Sequence, residues 1–211
     1  DLHSFPTRRS SDLAITIFSA RNSFAKGNVI GINYVGGLIG LDSINRTSEN
    51  QQQIVKKIAQ SYSNGSVIGH NYVGGIVGKI NHGHRSGYYT GSNVSRIDSV
   101  YYVGYVLGDS NYIGGIVGYT FGNISNSQSI SIVKGRNVVG GIAGSAGSSV
   151  TSTYFAGDSV TGIYQVGGLL GIANGNVDSS YSTANVKGDD NVGGLIGSSY
   201  GNISYSYATI A

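Results

Sequence analysis

The chain has 211 residues, room for one large domain or two small ones, with 35 glycines, one proline and no cysteine, methionine or tryptophan. The net charge of +3 is spread along the chain, and beyond the first 13 residues its densest basic spot is only Lys56-Lys57, so a nucleic-acid partner is not expected. The lack of cysteine excludes disulfides and thiolate metal sites, and 39% hydrophobic against 11% charged residues excludes a disordered polyelectrolyte.

In chain order, residues 1–13 (DLHSFPTRRSSDL) come first and differ from the rest: they hold the only proline, two adjacent arginines and no glycine. They resemble a translated sequencing-adapter stretch and are set apart as a non-native or disordered leader. No signal peptide is visible, and no apolar run reaches the ~18 residues that span a bilayer, so membrane insertion is not expected.

From residue 14 onward the chain repeats itself. NYVGGLIG at 33–40, NYVGGIVG at 71–78 and NYIGGIVG at 111–118 are nearly one octapeptide. The first glycines of the Gly-Gly pairs are Gly36, Gly74, Gly114, Gly140, Gly167 and Gly193, at intervals of 38, 40, 26, 27 and 26 residues. The base unit is about 26 residues. A valine column precedes the glycines (Val29, Val67, Val106, Val133, Val160, Val186), and another apolar column sits directly before each pair (Val35, Val73, Ile113, Val139, Val166, Val192). A further column, Ile58, Ile97, Ile124, Val150, Val177 and Ile203, is followed four residues later by tyrosine except at Gln128.

The 177–181 segment does not keep a helical period, because Ser180 stands where an apolar residue is needed. Read as a strand, residues 177, 179 and 181 share one face, predicted to point inward, with polar neighbours pointing out. Glycine at about 17% of the chain also argues against helix. A unit of this length with about three short strands is one coil of a parallel β-helix, in which like residues stack on like. The predicted fold is all-β: a right-handed parallel β-helix of six coils or slightly more over residues 14–211. The glycines recur at fixed phase, whereas a phosphate loop occurs once; GGIVGK at 74–79 is followed by Ile80 where Ser or Thr is required. They are read as corners and close backbone approaches.

The V-G-G-[LI]-[IV]-G core, with the serine–tyrosine and glycine–valine stretches before it, resembles the GLUG repeat. SYSNGSVIGHNYVGGIVG at 61–78 carries the likeness, which covers about residues 18–211. Members are repeat regions of large bacterial surface and secreted proteins, including streptococcal immunoglobulin A1 proteases and filamentous-haemagglutinin-like adhesins. The resemblance implies an exported adhesive or spacer region and brings no catalytic residues. From the absent methionine, and an end at Ala211 just before the next valine column falls due, a piece of a longer parent is expected.

Two insertions, at about 41–57 and 79–96, account for the long intervals and leave the same corner of consecutive coils. Insertions of this kind often form a solenoid's binding face. Their polar and aromatic residues, Arg46, Asn50, His82, His84, Arg85, Tyr88 and Tyr89, are the predicted ligand-binding set, toward a host or neighbouring-cell protein or glycan. The bland reading is tolerated surface loops. His82-Gly83-His84 lacks further ligands and is read as solvated, so neither metal nor cofactor is expected. Glycoside chemistry needs paired carboxylates about 5–9.5 Å apart. Asp98 and Asp178 share a column three coils apart, as do Asp109 and Asp189, which comes to roughly 14 Å. The expected role is a non-enzymatic stalk or adhesive module, secreted or on the cell surface. The alternatives are an accessory region of a larger surface protease or glycan-active enzyme and, less favoured, a polysaccharide lyase or hydrolase.

Overall fold

A computed structural model describes residues 19–44, 57–82 and 95–209. Every strand pairing is parallel, and no helix occurs among the described residues. Four sheets run the length of a parallel β-helix. Sheet I takes one strand from each coil, from Ser19–Arg21 to Ile203–Ser204. Sheet II runs from Phe24–Lys26 to Tyr207–Ala208, sheet III from Asn33–Gly36 to Asp190–Gly193, and sheet IV from Ile39–Ile44 to Ile196–Ser199. The chain completes six circuits and begins a seventh.

Each coil places strands in four sheets, one more than the three or so expected. The Gly-Gly pair is the cause: Asn71–Gly74 lies in sheet III and Val77–His82 in sheet IV, with the bend between them. The predicted columns are in register. Val29, Val67, Val106, Val133, Val160 and Val186 are successive partners. So are Val35, Val73, Ile113, Val139, Val166 and Val192. Apart from Val192, which is exposed in the last coil, they join Ile97, Ile124, Val150 and Val177 of sheet I, and Ile76, Ile116, Ile142 and Leu169 after the glycine pairs, in one core down the axis.

The tyrosines face the other way. Expected inside with Val177, Tyr181 points outward, and Ser180 and Ser182 are buried in its place. The reason is Ser179, whose φ of 49° is left-handed and breaks the two-residue alternation. Asn22, Gln60, Ser99, Asn126, Ser152 and Tyr205 do the same at that corner of the other coils. The buried hydroxyls satisfy the bent backbone. Ser180 Oγ donates to the Asp178 carbonyl at 2.8 Å and accepts the Thr153 amide of the previous coil at 3.1 Å. Ser127 Oγ likewise donates to the Ser125 carbonyl and accepts the Val100 amide. Outside, the rings stack: Tyr154 on Tyr181 at 5.0 Å and Tyr181 on Tyr207 at 5.2 Å between centroids.

The inward column of sheet II alternates small and large: Ser63, Tyr102, Ser129, Phe155, Ser182, all buried. The second glycine of each pair faces it across the core. A Cβ on Gly75 would lie 2.4 Å from the Tyr102 ring and 2.2 Å from the Gly115 carbonyl oxygen. Tyr102 meets its polar need by donating its hydroxyl to the Gly65 carbonyl at 2.8 Å, and burial pushes its ionisation well above the usual tyrosine range. At the last pair, a Cβ on Gly194 would meet nothing nearer than Ala208 Cβ at 3.2 Å. The same substitution at the same motif position should therefore have unequal cost. Gly75→Ala is expected to destabilise by about 1–3 kcal/mol, and Gly194→Ala by much less, in urea unfolding followed by circular dichroism.

Candidate functional site

Six of the seven predicted ligand-binding residues, Arg46, Asn50, His84, Arg85, Tyr88 and Tyr89, lie outside the described residues. The seventh, His82, ends the strand Val77–His82 as register partner of Ile44. Sheet IV thus carries the coil through Ile44 and His82, where the two inserted segments depart from adjacent rungs. They return at adjacent rungs too, because Lys57 and Arg96 are partners in sheet I.

Beside the departure points is an aromatic and cationic flank. Tyr34, Tyr72 and Tyr112 occupy one position in three successive coils, each left-handed, with φ of 56°, 55° and 62°. That conformation lifts each ring out of the strand; Asn111 and Ile113 pair with the next coil while Tyr112 is skipped. The rings stack at 5.2 and 5.0 Å. Tyr119, on the neighbouring sheet IV strand Val117–Thr120, packs edge-on to Tyr112 at 5.3 Å, and Phe121 edge-on to Tyr119 at 5.1 Å. Lys79 is the register partner of Tyr119, and its Nζ lies 4.2 Å from the Tyr72 centroid, 5.5 Å from that of Tyr34 and 5.4 Å from that of Tyr119. All six side chains are half-buried. Burial, and secondarily the neighbouring Tyr72, raise the Tyr112 hydroxyl above its ordinary pKa.

One residue before each tyrosine runs an asparagine column. Asn71 Nδ2 donates to Asn33 Oδ1 at 3.2 Å, and Asn137 Nδ2 to Asn111 Oδ1 at 2.9 Å. The ladder ends where Tyr164 replaces asparagine, and Asn137 Oδ1 is left buried without a partner. Sequence reasoning missed this flank. Its signal was present: the first three repeats read NYVGG, NYVGG and NYIGG, whereas the later ones read NVVGG, YQVGG and DNVGG.

Asp98 and Asp178 do not meet. Asp98 is linked to Asp178 only through Ser125 and Thr151, one coil each. The column expected to join Asp109 to Asp189 is corrected. The sheet II–III corner holds an extra residue in that coil, so the backbone ladder behind Asp189 runs through Ile163, Arg136, Ser110 and His70. Asp109 is displaced outward, where its carboxylate meets the His70 imidazole. Among the described residues no group of three or more His, Asp or Glu is placed to hold a metal.

No family model matches this chain, and no curated protein does. In fold it is similar to the crystal structure of a candidate immunoglobulin A1 protease from Bacteroides ovatus. The TM-score is 0.59 at 20% sequence identity, over 86% of this chain and 60% of that one. The likeness shows the fold, and this chain spans about 60% of that protein's length.

Asp98 has a structural role. It accepts Lys57 Nζ at 2.7 Å, Ser125 Oγ at 2.8 Å and Asn126 Nδ2 at 2.9 Å. The bond from Lys57 is the chief reason its pKa is lowered to about 2; the bonds from Asn126 and Ser125 add to it, and partial burial opposes. A carboxylate with a depressed folded pKa contributes stability above its unfolded pKa of ~3.9 and loses it as pH falls through the folded value. The melting temperature should therefore fall between about pH 4 and pH 2. Asp98→Asn should lower it at pH 7 and flatten that acid limb, as read by thermal melts across pH.

Proposed function

We propose that this chain is a non-enzymatic repeat module of an exported bacterial surface protein, which binds protein or glycan through the flank beside its inserted segments. The observation that carries the reading is the grouping of Tyr34, Tyr72, Tyr112, Tyr119, Phe121 and Lys79 next to the anchors at Ile44 and His82. Tyrosine supplies large contact area with a polar tip at low conformational cost. The later coils share the fold and lack this grouping, so the scaffold does not need it. The resemblance to GLUG repeats supports export and an adhesive or spacer role within a longer parent chain, secreted or held at the cell surface, with a host or neighbouring-cell molecule as partner. The three-coil separation of Asp98 from Asp178 favours binding over hydrolysis.

A second reading has one observation in its favour. The fold neighbour is a candidate immunoglobulin A1 protease of which this chain spans 60%, which suits an accessory repeat region of a larger surface enzyme. A catalytic domain elsewhere in the parent frame would favour it, and a wall or membrane anchor alone would favour the first.

The test compares the chain with two variants on arrays of host glycans and extracellular proteins: one with 45–56 and 83–94 replaced by short Gly-Ser linkers, the other Tyr72→Ala/Tyr112→Ala. The chain should bind and at least one variant should bind tenfold more weakly. Equal binding by all three, or binding by none, contradicts the proposal.

A further inference from the structure

We infer that the ligand of this flank is an acidic glycan, lying along the coil axis over the tyrosine row with a sugar carboxylate on Lys79. The inference rests on the binding reading above and names its ligand class.

The first ground is the cation. Lys79 Nζ is held among three tyrosine rings, yet among the described residues the ion pairs are Lys57–Asp98 and His70–Asp109, and neither involves it. An ammonium group has three donors, and aromatic rings offset its charge without accepting conventional hydrogen bonds. Lys79 is thus a positioned cation with hydrogen-bonding capacity to spare, and its ordering cost is already met before a ligand arrives. The complementary group is an anion.

The second ground excludes other anions. Tyr34, Tyr72 and Tyr112 stack on each other, so the faces between them are taken up within the row, and a ligand lying along it meets edges and hydroxyls. A nucleobase or other flat aromatic ligand needs a free ring face, and the net charge is not clustered into a basic stripe. An extended acidic peptide binds most readily by adding a strand, which takes unpaired backbone at a sheet edge. The flank lies on the outward face of sheets III and IV, where backbone bonds run between coils; Ile113 and Gly114 pair on one side with Val73 and Gly74 and on the other with Val139 and Gly140. Recognition here is by side chains alone.

The third ground is spacing. The hydroxyl-bearing rings recur at 5.2 and 5.0 Å from coil to coil, and the asparagine column beside them repeats with the same coils. An amide in that column has two N–H groups and two carbonyl lone pairs, more than its ladder uses. A chain of sugars, bearing hydroxyls on every unit, meets such a row unit by unit; a uronic or sialic acid unit adds the carboxylate that Lys79 lacks.

The whole chain should be titrated by calorimetry with polygalacturonate and with polysialic acid, alongside fully methyl-esterified polygalacturonate and poly-L-glutamate as comparators. At least one acidic glycan should bind, with the comparators at least tenfold weaker. Lys79→Gln should lose at least tenfold on the acidic glycan while keeping the parent melting temperature, Lys79→Arg should retain most of the affinity, and Tyr72→Ala should weaken it several-fold. The inference is overturned if neither acidic glycan binds, if the ester or poly-L-glutamate binds as tightly, or if Lys79→Gln leaves binding unchanged. Should array binding persist on a neutral glycan or a protein, only the ligand class fails; should the chain bind nothing, the adhesive reading falls as well.

Discussion

The structure depends on one constraint: each coil must sit in register on the one before it, at the strand-to-strand spacing of ~4.8 Å. A coil of 26 residues has no interior of its own. Val106 is buried only because Val67 and Val133 lie above and below it. In-register stacking makes every position a column, and a column tolerates only what its neighbours leave room for. The second glycine of a pair is fixed at Gly75 and Gly141 by the Tyr102 and Phe155 rings that press against it. The serine at the sheet I–II corner is fixed by a carbonyl behind it and an amide from the previous coil. The non-glycine left-handed residues cost about 1 kcal/mol or more each. They persist because the coils above and below hold the same bend.

The stacking that hides valines also arranges the surface. Outward tyrosines stand ring on ring, each such contact worth ~0.5–1.5 kcal/mol. Where the column changes to Gln128, the Tyr154 hydroxyl donates to its Oε1 at 2.7 Å, so the outer row is bridged rather than cut. A solenoid built this way can bear function wherever one column departs from its scaffold minimum. Here that happens in the first three coils, where the tyrosines of NYVGG, Tyr119 and Lys79 converge beside the two places at which the chain leaves the coil.

Much of this was legible in the sequence. The valine columns, the unit length and the number of coils follow from phase alone, because a β-helix writes its register directly into its repeat. The inward or outward sense of the tyrosines did not follow. It turns on left-handed residues such as Gln60, Ser99 and Ser179, which do not advertise that conformation as glycine would. The same blind spot covered the fourth sheet, since a bend at Gly74-Gly75 and a straight strand look alike as letters. The Asp109 column slipped because a single added residue at one corner moves a side chain off the ladder without disturbing its neighbours. The Lys79 and tyrosine flank needed the register of two sheets at once, since Tyr119 reaches Tyr72 only across a coil boundary. Arg46, Asn50, His84, Arg85, Tyr88 and Tyr89 stand in stretches with no repeat column, so the repeat supplied no geometry for them.

Register can be tested by cross-linking, because the chain contains no cysteine of its own. Tyr154 and Tyr181 are partners in adjacent coils, and the ~4.8 Å between neighbouring strands falls within the ~4.4–6.8 Å that a disulfide spans. Tyr101 and Tyr181 share the column three coil-to-coil steps apart, roughly 14 Å. Under mild oxidation, Tyr154→Cys/Tyr181→Cys should close an intramolecular disulfide, while Tyr101→Cys/Tyr181→Cys should keep two free thiols. Equal closure in both, or closure in the distant pair alone, would contradict the stacked account.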